Sequence, residues 1–73
     1  ARAGVVQEAD FDVALTRLSA VSGGLGSEAR AKHQRAMNAL IARAQKAGMS
    51  REAFERERDE LLKRAQREAR SGG

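Results

Sequence analysis

Seventy-three residues, 33% of them charged and with a formal net charge of +4, make one small domain at most. With no Cys and a single His, the chain has neither a disulfide framework nor the three or four ligands that zinc requires. No apolar run approaches the roughly 20 residues of a membrane span, and no segment reads as a signal peptide.

A chain this short buries a smaller fraction of its surface than a large one, and such a core rarely supplies more than about 3–5 kcal/mol. Only two aromatics, Phe11 and Phe54, are present to fill it. The absence of Pro and the abundance of Ala, Arg, Glu, Leu, Lys and Gln favour helix throughout. Self-association or a protein partner is the expected source of additional burial. Lack of Cys fits a reducing compartment, so a cytoplasmic location is expected. The chain begins with Ala1 rather than Met, as a processed product or a piece of a longer protein would.

Residues 1–9 lack periodicity and read as a flexible arm, although Val5 and Val6 could fold back onto a bundle. From residue 10 to about residue 22, Phe11, Ala14, Leu15, Leu18 and Val21 follow i, i+3, i+4, i+7 spacing, one stripe of a helix. Glu8, Asp10 and Asp12 place negative charge at its start, with Asp10 as the expected N-cap. Gly23 and Gly24 are expected to stop it in left-handed conformations.

The stretch Gly23-Gly24-Leu25-Gly26-Ser27 precedes a helix N-terminus, where bare N–H groups can cradle an anion. A Walker loop needs Lys followed by Ser or Thr, and Glu28 stands there instead. A GxxG backbone clamp belongs to a mixed helix–sheet module, and no strand pattern exists. The stretch reads as a flexible linker.

Ser27 is the expected cap of a second helix running to about residue 47, with Gly48 as its stop. At about 100° per residue, Met37, Leu40, Ile41 and Ala44 share one arc, with Ala29, His33 and Ala36 on its flank. Lys32, Arg35, Arg43 and Lys46 fall together on the opposite side. Most of the charge imbalance lies here: residues 27–46 carry five cations against Glu28 alone. Residues 1–26 carry two cations against three acids, and residues 47–73 seven against six. A basic face of this kind can follow a phosphate backbone, but no aromatics accompany it to stack bases. His33 reads as a half-buried helix residue beside Met37, because neither metal partners nor a nucleophile accompany it.

Ser50 is expected to cap a third helix, over about residues 50–70, whose narrow apolar stripe is Phe54, Leu61, Leu62, Ala65 and Ala69. The stripe is interrupted at Glu57 and Arg58. Its surface is laced with i,i+4 opposite-charge spacings: Glu52–Arg56, Asp59–Lys63, Glu60–Arg64, Arg51–Glu55, Arg56–Glu60 and Arg64–Glu68. The carboxylates of residues 52–60 lie among arginines on a solvated helix, not in a desolvated cleft that would separate their pKa values for catalysis. Residues 71–73 read as a flexible tail.

Gly48-Met49-Ser50-Arg51-Glu52-Ala53-Phe54, then Arg58, then Leu61-Leu62, resembles the SHOCT module, a short C-terminal domain. That family joins two helices through a Gly turn and a Thr/Ser cap, with an aromatic, a basic residue and a Leu pair following at this spacing. Here the turn is one residue shorter, and Ala53 stands where the family carries an acid. The match covers residues 37–62 or so and implies a non-catalytic hairpin for oligomerisation or partner contact.

The expectation is therefore an all-α fold, a small three-helix bundle or a helical hairpin with an additional N-terminal helix, in a single domain over residues 10–70. It is expected to be non-enzymatic, without catalytic residues, metal, cofactor or small-molecule substrate. Its expected role is protein–protein interaction or assembly through Phe54, Leu61, Leu62, Ala65, Met37, Leu40 and Ile41. The alternative is a small nucleic-acid-binding factor that uses Lys32, Arg35, Arg43 and Lys46.

Overall fold

The computed structural model describes residues 4–71 and contains three helices: α1 (Glu8–Val21), α2 (Ser27–Ala47) and α3 (Arg51–Ser71). Among those residues there is no strand, and the expected all-α architecture is the one found. Every helix touches both others. His33 meets Glu68 and Arg43 meets Glu57, so α2 and α3 run antiparallel. Asp10 meets Arg51 at the shared beginning of α1 and α3, which run parallel. The result is an up-down-up bundle, a rod of 43 × 16 × 15 Å.

The core follows the periodicity closely. Phe11, Ala14 and Leu18 of α1, Met37, Leu40 and Ala44 of α2, and Phe54 and Ala65 of α3 are buried together. Phe11 and Phe54 meet edge to face, with ring centroids 5.4 Å apart and planes at 78°. Leu15, Val21, Ile41, Leu61, Leu62 and Ala69 are half-buried against this centre.

Several local expectations are corrected. Helix α1 begins two residues before Asp10, with Gln7 as its N-cap. Asp10 sits at the third helical position, where its Oδ2 accepts from the Gln7 N–H at 2.8 Å, the return half of a capping box. Gly23 and Gly24 are not left-handed. Helix α1 ends through Ser22, whose N–H donates to the Leu18 carbonyl at 2.9 Å, with φ −92° and ψ 3°. The cap of α2 is Gly26 rather than Ser27, and it makes no side-chain hydrogen bond. The linker is anchored, because Leu25 between those glycines is buried in the core.

Other signals hold. Gly48 takes φ 64° and ψ 44°, the left-handed conformation that lets its N–H and that of Met49 both reach the Ala44 carbonyl. Ser50 Oγ accepts from the Ala53 N–H at 3.2 Å and so caps α3. Ser71, expected in the tail, is the last residue of α3. The remaining expected tail, residues 72–73, and residues 1–3 of the expected arm lie outside the described residues.

The arm from residue 4 onward is not loose. Val6 is buried and its N–H donates to the Met49 carbonyl at 3.0 Å, while the Arg51 N–H donates to the Gly4 carbonyl at 2.8 Å. The first N–H groups of a helix have no partner within it, and Gly4 supplies one to α3. Arg51 Nε also donates to Asp10 Oδ2 at 3.2 Å. The arm thus binds the start of α1 to the α2–α3 turn.

Arg58 does not interrupt the α3 stripe. Its side chain is only 10% exposed, and its Nε and Nη2 donate to Asp59 Oδ1 at 3.0 and 2.8 Å. Arg58 stands four residues after Phe54 and three before Leu61, so its buried side chain carries the stripe through that turn. None of the six i,i+4 spacings of α3 forms an ion pair among the described residues. Three of the four ion pairs there link different helices instead.

Candidate functional site: the groove between the second and third helices

Helix α1 covers one side of the α2–α3 pair, and the opposite side remains a shallow groove. Its floor is Ala36, Ala39, Leu40 and Leu61. It forms because α2 presents alanines where it faces outward beside α3, and small side chains leave the gap between two backbones unfilled. Lys32, Arg64, Arg67 and Glu68 border the end nearest the start of α2 and the finish of α3. Arg43, Glu57 and Glu60 border the end nearest the interhelical turn.

The charges at the two ends differ in their pairing. Near the turn, Arg43 Nη2 donates to Glu57 Oε1, so one expected nucleic-acid contact is already matched by an acid. At the other end, His33 is buried, more deeply than expected, and Nε2 meets Glu68 Oε2. A carboxylate only accepts, so Nε2 carries the proton. This hydrogen bond holds the Glu68 carboxyl below the usual carboxylate range. Partial burial opposes the shift, and the charges of Lys32 and the imidazole reinforce it. With Glu68 so engaged, Lys32, Arg64 and Arg67 form no ion pair among the described residues.

The expected partner-binding residues separate into two groups. Phe54, Met37 and Ala65 lie in the core at 0% exposure, so they build the face rather than present themselves to a partner, while Leu40, also in the core, shows one edge in the groove floor. Leu61, Leu62 and Ile41 stay half-exposed. Leu61 and Leu62 lie on opposite flanks of α3. Leu61 faces the α2–α3 groove, whereas Leu62 joins Arg17, Val21 and Asp59 at the α1–α3 junction. They do not form one patch.

All four expected nucleic-acid residues are exposed on α2, but they spread along it. Lys32 and Arg35 share the cationic end, Arg43 is paired, and Lys46 lies in the last turn. Arg64 and Arg67 were not expected at this site. Their signal lay in the internal polarity of α3: residues 51–60 carry three cations against five acids, and residues 61–70 four against one. Antiparallel packing brings that basic half beside Lys32 and Arg35.

Among the described residues, no group of three His, Cys, Asp or Glu side chains is placed to hold a metal ion. Among the same residues, no helix is long and apolar enough to cross a membrane. Of the residues that carry the SHOCT resemblance, Ser50, Phe54, Arg58 and Leu61 act here as cap, core, core stem and groove floor, and Leu62 lies at the α1–α3 junction. The chain matches no protein-family model, no curated protein and no solved structure.

Proposed function

We propose that this domain is a non-enzymatic protein-interaction module, and that the α2–α3 groove is its binding face. The observation that carries this reading is the groove's asymmetry in the bundle: α1 covers one side of the helix pair and no described residue covers the other, whose floor is Ala36, Ala39, Leu40 and Leu61. Helix-lined grooves with small floor residues accept the apolar side of another helix. The hairpin's resemblance to the SHOCT module, with its role in oligomerisation or partner contact, agrees with such a use.

Site-specific photocrosslinking tests the proposal. A crosslinking residue in place of Ala36 or Ala39 is expected to capture a discrete protein adduct, and one in place of Val13 on the outer side of α1 is not. Equal adducts at both positions, or none in the groove, would overturn it.

A further inference from the structure

We infer that the groove takes an amphipathic helix of a protein partner whose polar flanks carry Asp or Glu. This rests on the reading of the α2–α3 groove as the binding face and specifies the chemistry of its occupant. The first ground is shape. Ala36 and Ala39 leave room above the floor, and Leu61 supplies apolar surface along one wall, so the space suits branched or unbranched aliphatic side chains repeating at helical spacing. The second ground is charge. Of the three acids bordering the groove, Glu68 is engaged by His33 and Glu57 by Arg43, which leaves Glu60 at the turn end without an ion pair among the described residues. The cations Lys32, Arg64 and Arg67 form no ion pair among the described residues, and they stand together at one end. An apolar floor beside these cations complements an apolar seam beside carboxylates.

Two other occupants fit less well. A nucleic acid would use the cations but leave the aliphatic floor idle, and both aromatic rings that could otherwise stack on bases are buried in the core. A second copy carries the same net charge of +4, and on its two acidic stretches, at the start of α1 and over residues 51–60, Asp10, Glu57 and Asp59 are already held by Arg51, Arg43 and Arg58.

The test measures fluorescence anisotropy of a labelled designed peptide of about five helical turns, with Leu at i, i+3, i+4 spacing and Glu on both flanks. Its comparators are the same peptide with Lys for Glu, a polyglutamate peptide without Leu, and a DNA oligonucleotide in single- and double-stranded form. The Glu peptide is expected to bind, and binding should weaken as salt rises. The combined variant Lys32→Glu, Arg64→Glu, Arg67→Glu should reduce affinity about tenfold at low salt, chiefly through the association rate, with unchanged circular dichroism. Ala39→Glu should block binding from the floor. Equal binding of the Lys peptide would overturn the acidic preference while leaving the groove as the binding face. Equal binding of polyglutamate would overturn the helical occupant. Binding of the oligonucleotide alone, lost in the same triple variant, would overturn both the occupant and the protein-interaction reading. No peptide binding together with concentration-dependent sedimentation would identify a second copy as the occupant and overturn this one.

Discussion

Phe11 and Phe54, the two aromatic residues of the chain, stand 43 positions apart in sequence and meet edge to face at 5.4 Å. The pair joins α1 to α3 at the end of the bundle where the arm, the α2–α3 turn and the Asp10–Arg51 ion pair also converge. In a chain otherwise filled with alanine and leucine, this contact holds much of the large apolar surface available to the core. Phe54→Ala is expected to cost about 3 kcal/mol or more in urea-induced unfolding, most of the stability of so small a domain. In a double-mutant cycle with Phe11→Leu and Phe54→Leu, the rings should show a coupling of about 0.5–1.5 kcal/mol. Additive losses would remove the edge-to-face contact as a source of stability.

The His33–Glu68 contact makes a signed prediction about pH. The Glu68 carboxyl is held below its ordinary range mainly by the hydrogen bond from His33. The native state therefore favours its ionised form, and this contribution is complete above the pH where a free glutamate titrates. It disappears as pH falls through the lowered native value. The difference in melting temperature between the parent chain and Glu68→Gln should accordingly be largest near neutral pH and shrink under acid conditions. An NMR titration of the side-chain carboxyls should place Glu68 below the other glutamates, and His33→Ala should restore it. A difference that grows on acidification would contradict the assignment.

Arg58 separates the worth of a buried stem from that of a charge. Arg58→Met keeps the aliphatic length and removes a mostly buried cation, so thermal unfolding should change by less than about 1.5 kcal/mol or shift upward. Arg58→Ala opens a gap beside Phe54 and Leu61 and should be clearly destabilising. If Arg58→Met proves as damaging as Arg58→Ala, the Asp59 contact rather than the stem is what matters.

The docked arm is visible to hydrogen exchange. The Val6 and Arg51 amides donate to Met49 and Gly4 carbonyls and should exchange well below the rate of free peptide. The Gly24 and Gly26 amides, on the opposite connection, provide an exposed comparison. Val6→Ala should accelerate exchange at Arg51 while leaving the middle of α2 protected. Free-peptide rates at Val6 and Arg51 in the parent chain would mean that the arm does not dock in solution.

Periodicity and local chemistry were enough for the three helices, the Gly48 stop, the Ser50 cap and nearly the whole core. Those features depend on residues within one or two turns of each other, and spacing records such relationships directly. The same 100° increment that defined the stripes also separates Leu61 from Leu62, so their division between two grooves was partly legible; which helix covers each flank was not. The basic half of α3 was written in its charges, yet its meeting with Lys32 and Arg35 required the antiparallel packing of α2 and α3. Burial of Arg58, docking of Val6, capture of Glu68 by His33 and replacement of local i,i+4 pairs by links between helices were decided only in three dimensions. The last three depend on partners in other elements, many of them dozens of residues away. Long, flexible charged side chains can satisfy several neighbours at similar cost, so the packed backbone rather than the spacing selects among them.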